Sequence, residues 1–407
     1  MNILITTQVY PPEGQASATL VRELAGELCG RGAKVTVAAG YPHHPYGRLY
    51  PGYRKKLLTL ESNNGFQVVR GWHLIHPSSS VTVRGLVMLS QCAAYFLSAA
   101  SCPRPDVVIS YGPPLLGPLI SAAIARVSGA RLMTVIYDIY PDIAVDLGHL
   151  REPLLIKAAQ KCESLVYRLS DHIVVLSEGF QRTLVGVKGV RQEKVSVVPV
   201  WFDAQDITPM SRDNAWRREM GIDPEKFVVL YAGTIGLISG AEIIVEAARR
   251  LQSQTDILFL LVGTGHAKAL VETKAKSEGL SNIRFLPFQP RQRLGEMQAV
   301  ADVSLVTLAP GRGSTSLPSK VLGYMAAARP VVASVDRDSD LAELISRSQC
   351  GLVVPPGQGE GLAEAILQCY RQPEQRRLYG EAGHRYFLQH YEKKVVVRRF
   401  AELIEQI

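Results

Sequence analysis

Runs of consecutive apolar residues alternate along the chain with stretches in which apolar residues recur every three or four positions. The runs at Asn2 to Val9 and Phe227 to Ala232 predict strands that are buried on both faces, as in a parallel sheet. Each run is followed by a turn containing glycine and then by a stretch with helical spacing, such as Ala18 to Arg31. Because this alternation continues along the chain, the pattern predicts the α/β class, with two Rossmann-like doubly wound domains.

The composition bounds the class of protein. A chain of 407 residues, 47% of them apolar, is long enough for two or three domains with buried cores. Its six cysteines show no C-x-x-C pair and no spacing typical of metal ligands. The first residues lack the basic segment and cleavage site of a signal peptide. We therefore expect reduced cysteines and a cytoplasmic protein.

One apolar segment needs two interpretations. No segment reaches the roughly 18 uncharged apolar residues of a membrane-spanning helix, and the nearest is Gly85 to Ser101. The pattern favours a helix buried against a sheet. The alternative is a helix that lies on the membrane surface, helped by the bases Arg54, Lys55 and Lys56.

The positive charge is concentrated in the first half of the chain. The whole chain carries a net charge of +8, and Met1 to Ala204 holds 20 Lys and Arg against 14 Asp and Glu, a net of +6. Such a surface can be merely solvated, or it can face anionic lipid or a phosphorylated substrate. Nucleic acid is the least favoured partner, because no nucleic-acid-binding motif is present.

The stretch from Ala309 to Ser334 carries the most specific chemistry. It follows an apolar strand, opens with a loop of small and polar residues that includes Arg312, and starts a helix between Ser316 and Lys320. Proline suits the first helical turn at position 318. Free backbone N–H groups at a helix start, together with a lysine, favour an anion such as a diphosphate.

The letters P-S-K-V-L-G-Y-M-A-A-A-R-P-V-V-A-S in this stretch resemble the P-S-K-x-x-E-Y-M-A-A-G-x-P-V-V-A block of retaining glycosyltransferases of the GT-B fold. The chain is most similar to the subgroup of glycosyltransferase family four that builds bacterial O-antigens and exopolysaccharides, including colanic-acid-type transferases. The resemblance implies two Rossmann-like domains that face each other across a cleft.

The resemblance also implies a domain organisation. Val198 to Pro209 is similar to the family's hinge, which places the boundary near residue 205. We expect an acceptor-binding domain over residues 1–205 and a nucleotide-sugar-binding domain over residues 206–384. A terminal helix over residues 385–407 is expected to return to the first domain, as in relatives.

The residues expected to bind the donor lie in turns and loops of both domains. By resemblance they are Gly14, Gly233, Thr234, Phe288, Arg312, Ser316, Ser319 and Lys320. Lys320 is the most informative of them, because a cation in the first turn of a helix opposes the helix dipole unless an anion lies nearby.

The segment Asp138-Ile139-Tyr140-Pro141-Asp142 follows a buried strand and resembles the family pattern H-D-x-W/Y-P-D/E. Tyr137 stands where the family has a histidine thought to touch the transferred sugar. Asp138 is predicted to act as an acid/base or to orient the sugar, with a helix N-cap as the alternative. Asp138 and Lys320 are therefore the predicted catalytic residues.

Four family contacts are missing from this sequence. The family's arginine and lysine after the first strand of the second domain correspond to Thr234 and Ser239. Its pair of glutamates, which contact the sugar and the ribose, corresponds to Thr315 and Gly323.

A long polar segment from Tyr41 to about Gln67 shows no regular pattern, which favours a functional loop over a linker. In related enzymes this region helps to hold the acceptor. His43 and His44 are therefore predicted on the acceptor side, and Arg54, Lys55 and Lys56 on the acceptor and membrane side. Two adjacent histidines on an extended chain point opposite ways, so they make a poor metal pair.

The resemblance implies a retaining, metal-independent hexosyl-type glycosyltransferase. Its donor substrate would be a UDP- or GDP-linked sugar, with no cofactor. Its acceptor would be an undecaprenyl-diphosphate-linked oligosaccharide of bacterial O-antigen, lipopolysaccharide or exopolysaccharide synthesis, used at the inner face of the membrane without nucleic acid. Two alternatives stay open, a GT-B nucleotide-sugar epimerase and a degenerate, non-catalytic GT-B binding subunit.

Overall fold

The computed structural model describes residues 1–44, 47–63, 65–77, 81–112, 115–146, 148, 150–311 and 318–407. The chain divides into two compact units. One comprises Met1–Pro199 with Val397–Ile407, and the other comprises Val200–Val396. The sequence predicted the boundary near residue 205 and the return of the chain from residue 385.

The first unit is built on a mostly parallel sheet. Its strands, within the described ranges, are β1 Asn2–Thr7, β2 Lys34–Gly40, β3 Leu58–Asn63, β4 Phe66–Gly71, β5 Val107–Gly112, β6 Arg131–Ile136, β7 His172–Val175 and β8 Val195–Val197. Their order in the sheet is β3-β4-β2-β1-β5-β6-β7-β8. Only the edge pair β3–β4 is antiparallel among these pairings.

Helices cover the first sheet. They are α1 Ala16–Gly30, α2 Val81–Ala100, α3 Leu116–Ser128, α4 Asp142–Asp146, α5 Pro153–Leu169 and α6 Glu178–Arg182. Helix α3 lies between α2 and α5 and contacts both, so these three helices form one layer. Helix α1 packs on β1, β2 and β4. The strands are apolar on both faces because both faces are buried, as expected for parallel sheets.

The second unit repeats this plan with a fully parallel sheet. Its described strands are β9 Phe227–Ala232, β10 Ile257–Val262, β11 Ile283–Leu286, β12 Val303–Thr307, β13 Val331–Ser334 and β14 Gly351–Val354. They lie in the order β11-β10-β9-β12-β13-β14. Apolar clusters pack on both faces of this sheet. The structure thus confirms the predicted α/β class and the two Rossmann-like domains.

The helices of the second unit alternate with its strands. They are α7 Ala215–Glu219, α8 Glu242–Arg250, α9 Lys268–Ser277, α10 Leu294–Ala299, α11 Lys320–Ala326, α12 Asp340–Ser348, α13 Gly359–Arg371 and α14 Pro373–His390, followed by α15 Lys393–Glu405. The last residues of α15 belong to the first unit, where Glu405 approaches Arg31 at 3.5 Å.

Two local predictions were wrong. The segment 41–67, predicted as one long loop, contains strand β3 and the start of β4. Strand β3 lies at the sheet edge, where one face and one backbone edge meet solvent, so its sequence lacks the apolar run of a buried strand.

The predicted terminal helix is in fact two helices, α14 and α15, separated at Tyr391 and Glu392. The Phe202 N–H donates to the Tyr391 carbonyl at 3.0 Å, and the Lys393 N–H donates to the Phe202 carbonyl at 3.0 Å. The backbone of Phe202 therefore forms hydrogen bonds with groups that a continuous helix would pair internally. No glycine or proline at the interruption predicts it from the sequence.

Candidate active site

The amine of Lys320 lies in an unusual electrostatic environment within the second unit. Lys320 starts helix α11, and its Nζ lies 3.8 Å from the centroid of the Tyr231 ring. A Cβ atom at Gly233 would lie only 3.1 Å from the same Nζ, so the side chain folds back over the end of β9. Burial lowers the pKa of Lys320 to about 7. No carboxylate of the described residues forms an ion pair with it.

Two tyrosines fix the turn beneath this lysine. The Tyr324 hydroxyl accepts from the Ala232 N–H at 2.9 Å and donates to the Ala232 carbonyl at 3.3 Å. The Tyr231 hydroxyl donates to the Thr234 carbonyl at 2.8 Å. Because both tyrosines are buried in the core, the turn at Gly233 and Thr234 is held by the packed body of the unit.

The predicted donor residue Gly233 lies beside a second glycine turn. A Cβ atom at Gly263 would lie 2.0 Å from the Gly233 carbonyl oxygen, and one at Gly265 would lie 2.2 Å from that of Ile235. Gly263 and Gly265 also have φ angles of 148° and 149°, which side chains rarely allow. The G-x-G turn after β10 therefore serves the close approach of two backbone loops.

Those predicted donor residues of this unit that the structure describes lie at one edge of the sheet. Thr234 follows β9 and Phe288 follows β11. Both are exposed, and Phe288 has 67% of its surface exposed. Ser319 precedes α11 and is exposed, without a side-chain cap hydrogen bond. Since carboxyl ends of parallel strands share an edge, these residues line the place where ligands bind in such sheets.

Part of the predicted phosphate loop lies outside the described residues. This applies to Arg312, Ser316 and also Thr315, the counterpart of the family's first glutamate. Helix α11 begins at Lys320, and the N–H groups of Val321 and Leu322 bond to the carbonyls of residues 318 and 319.

Gly323, the counterpart of the family's second glutamate, faces another side chain. A Cβ atom there would lie 2.7 Å from Nε2 and 2.9 Å from Oε1 of Gln298 on α10. Gln298 is buried, and its Oε1 has no hydrogen-bond partner among the described residues. The amide of Gln298 thus fills the space that a longer side chain at position 323 would need.

In the first unit, Asp138 follows the carboxyl end of β6, as predicted. Burial raises the pKa of its carboxyl group. Tyr137 packs against Tyr111 at 5.4 Å between ring centroids, and both hydroxyl oxygens are buried without a hydrogen-bond partner among the described residues. The position of the family's histidine is therefore occupied by half of an aromatic pair.

Glu13 organises the predicted acceptor residues, a role that sequence analysis missed. Its Oε1 accepts from the backbone N–H groups of His43 and His44 at 3.0 and 2.9 Å, and its Oε2 accepts from that of Tyr10 at 3.2 Å. Glu13 is only 4% exposed. The signal available in the sequence was an acid in the turn after the first strand, and its burial is seen only in the structure.

The side chains of the two histidines have different partners. The His43 ring packs on that of His73 with centroids 4.9 Å apart. His44 Nδ1 lies 2.8 Å from the amide Nε2 of Gln15, which can only donate, so this ring nitrogen accepts. Gln15 stands next to Gly14, around which a Cβ atom would meet nothing within 4 Å, so backbone geometry does not require a glycine there.

The predicted membrane-side residues have exposed positions. Arg54, Lys55 and Lys56 are all exposed and precede β3. Helix α2 packs against β2, β4 and α3, as expected for a buried helix, yet its outer face exposes an apolar stripe. The exposed large residues of this stripe are Leu86, Leu89, Phe96 and Leu97.

No three His, Cys, Asp or Glu side chains of the described residues come together in a way that could hold a metal ion. Among the described helices, none has the length and apolar character needed to cross a bilayer.

Comparison with known families assigns both halves of the chain. Residues 16–201 match the family Glycosyl transferase 4-like domain, and residues 212–386 match the family Glycosyl transferases group 1. The chain combines these two glycosyltransferase domains. The family matches thus bear out the glycosyltransferase resemblance, and their boundary falls between residues 201 and 212.

Similar proteins extend over the whole chain. WcaI of Escherichia coli K12, named for a glycosyl transferase of colanic acid biosynthesis, is 27% identical over 413 residues that cover 98% of each chain. Sucrose-phosphate synthase of Thermosynechococcus elongatus superposes with a TM-score of 0.78 at 16% identity, covering 100% of this chain and 98% of that one. HepE of Anabaena, solved with UDP, gives 0.73 at 17% identity over all of both chains. The fold is therefore GT-B.

Proposed function

We propose that this protein transfers a sugar, with retention of configuration, from a nucleoside-diphosphate sugar to a lipid-linked oligosaccharide in bacterial surface polysaccharide synthesis. The observation that carries the proposal is the enclosed amine of Lys320, placed over Tyr231 and against Gly233 at the carboxyl edge of the second sheet. A lysine without an anionic partner among the described residues is suited to receive a ligand's diphosphate.

The proposed chemistry begins with the leaving group. When the bond between the anomeric carbon and the donor oxygen breaks, the electron pair goes to the diphosphate, which gains negative charge. The Lys320 ammonium stabilises that charge in a site with little competing water. Arg312, Ser316 and Ser319 are proposed as further diphosphate contacts, and the exposed ring of Phe288 is suited to stack on the nucleobase.

The acceptor side is proposed to lie on the first unit. The acceptor oxygen attacks the same face of the sugar that the diphosphate leaves, and the leaving phosphate takes the acceptor proton, so no metal is needed. Asp138, whose carboxyl pKa is raised by burial, is proposed to orient the transferred sugar through hydrogen bonds. His43 and His44 are proposed acceptor contacts, held in place by Glu13.

The proposed acceptor is based on WcaI, a relative that aligns with nearly the whole chain. WcaI is named for colanic acid biosynthesis, and we propose by analogy a glycan acceptor carried on a polyprenyl diphosphate. We accordingly propose that the enzyme works at the inner face of the bacterial membrane. The apolar stripe of α2 is suited to a membrane surface.

A binding experiment tests the donor site. In thermal-shift and calorimetry experiments with UDP, GDP and their sugars, nucleotides with only one of the two bases should stabilise the protein. UDP is tried first because HepE was solved with it. Lys320→Ala should weaken that affinity roughly tenfold to a hundredfold, the loss of one charge-assisted contact. Lys274→Ala, which removes an exposed lysine on α9, is the matched control and should change nothing.

Three outcomes would contradict the proposal. An unchanged affinity in Lys320→Ala would remove the diphosphate role of this lysine. Formation of an epimer from the bound sugar nucleotide would favour the epimerase. Tight binding without transfer or donor hydrolysis would favour a non-catalytic subunit, in line with the Gln298 amide that fills the space beside Gly323.

A further inference from the structure

The solvent-facing side of helix α5 combines bases with exposed leucines. Its members, called here the α5 face, lie within an arc of about 100° at 100° per residue and are all exposed. They are Leu154, Lys157, Ala158, Lys161, Leu165 and Arg168. The face extends about 21 Å along the helix at 1.5 Å per residue.

The charged residues of the α5 face are all basic, and no acidic side chain of the described residues pairs with them. None of Lys157, Lys161 and Arg168 forms an ion pair with another described residue. Glu163, the acid within α5, lies on the buried side, where it accepts from Lys188 at 3.0 Å. The α5 face is therefore a row of three available positive charges, and its complement is a surface of negative charge.

The leucines of the α5 face indicate that the complementary negative surface is a lipid surface. Leu154, which precedes the first base, is 82% exposed, and Leu165, which lies between Lys161 and Arg168, is 42% exposed. Apolar side chains that point outward among bases suit the boundary between headgroups and acyl chains, where long basic side chains keep their charge at the headgroups. A second copy of this chain fits poorly, because a twofold contact would bring the same three bases together.

The α5 face belongs to the same helical layer as the apolar stripe of α2. Helix α3 lies between these two helices and contacts both. The binding of an amphipathic surface to a membrane strengthens both with the apolar area that it buries and with its attraction to anionic lipids. The layer supplies apolar area at α2, where Leu86 is 56% exposed, and positive charge at α5.

We propose that the α5 face binds the anionic headgroups of a lipid bilayer and is the electrostatic part of the membrane contact. This inference rests on the proposed function in one respect, namely that the membrane contact would hold the enzyme near a lipid-linked acceptor. It differs from the sequence-based expectation, which assigned this role to Arg54, Lys55 and Lys56.

Co-sedimentation of the full chain with vesicles tests the proposal. Binding to vesicles with phosphatidylglycerol should exceed binding to pure phosphatidylcholine and should weaken as salt rises. The triple variant Lys157→Gln, Lys161→Gln, Arg168→Gln should lose binding on the order of a hundredfold, at about fivefold per base.

A second triple variant is the charge-matched control, because it removes the same number of exposed bases from the other basic segment. It carries Arg54→Gln, Lys55→Gln and Lys56→Gln, and these changes should weaken vesicle binding much less than the changes on α5. Equal loss in both triple variants would overturn the assignment to α5, as would a dimer that dissociates only in the α5 triple variant.

Further measurements separate this inference from the proposed function. Both triple variants should keep the melting temperature and nucleotide affinity of the parent, so a loss of lipid binding does not report misfolding or a lost donor site. Leu154→Gln with Leu165→Gln should weaken vesicle binding without removing its salt dependence. Vesicle binding that is unchanged in this double variant would overturn the part assigned to the leucines.

Discussion

Lys320 loses hydration when its side chain folds back over Tyr231, and this loss governs its protonation. The ring face offers partial compensation for the ammonium charge at 3.8 Å. Burial nevertheless lowers the pKa of the amine to about 7, from 10.5. The free protein therefore carries an unfavourable charge at low pH that a diphosphate would relieve.

This balance predicts a pH-dependent cost of keeping the lysine. Between pH 7 and 10.5 the unfolded chain holds a proton on Lys320 that the folded chain lacks, so its contribution to stability rises with pH. At about pH 6 the penalty is nearly complete, and Lys320→Met should raise the free energy of unfolding by roughly 2–4 kcal/mol. The gain should shrink as the pH approaches about 10. Urea denaturation at several pH values measures it, and a gain that does not depend on pH would contradict the enclosed charge.

At the scale of elements, helices α10 and α11 pack through an amide where the related enzymes carry an acid. Gly323 lies within α11, and its missing side chain leaves the space taken by the Gln298 amide. This pairing explains why a residue matched to a functional glutamate can be glycine here without leaving a cavity at that place.

The pairing predicts that the effect of Gly323→Ala on stability changes sign when the Gln298 side chain is removed. Gly323→Ala should destabilise the parent protein by about 1 kcal/mol, because the new Cβ crowds the Gln298 amide. After Gln298→Ala removes that amide, the same substitution should stabilise by roughly 0.5–1 kcal/mol, the usual gain of alanine over glycine in a helix. A double-mutant cycle by chemical denaturation measures the coupling. Strict additivity of the two changes would show that the side chains do not compete.

At the scale of the molecule, the proposed donor contacts and the proposed acceptor-side residues fall mainly in different units. The proposed donor contacts fall in the second unit, except for Gly14, whereas Asp138 and the residues around Glu13 fall in the first. Each group lies on turns at the carboxyl edge of a parallel sheet, which places binding residues on rigid supports.

Hydrogen exchange with bound nucleotide tests this division. UDP or GDP, whichever binds, should slow exchange of the backbone amides at 233–236, 263–265 and 319–322 several-fold, because ligand contact reduces local opening. Helix α5 should show no change with nucleotide and should be protected only by anionic vesicles. Protection centred on 41–44, without any effect at 233–236, would place the nucleotide on the first unit instead.

The class of fold and the family of the domains could both be predicted from the sequence. Buried parallel strands need continuous apolar runs, so β1 and β9 were evident, and the block around Lys320 carried the glycosyltransferase resemblance. The edge strand β3 escaped this logic, because a strand open to solvent keeps polar residues.

The sets of side chains that share an environment could not be predicted from the sequence and are seen only in the folded chain. The amine of Lys320 over Tyr231, the amide of Gln298 beside Gly323 and the Glu13 carboxylate on the His43 N–H all join residues far apart in sequence. Likewise, the backbone of Phe202 interrupts the terminal helix, although no local residue predicts a break. Periodicity reports which face of an element is buried, whereas the partner buried against it depends on how the whole chain folds.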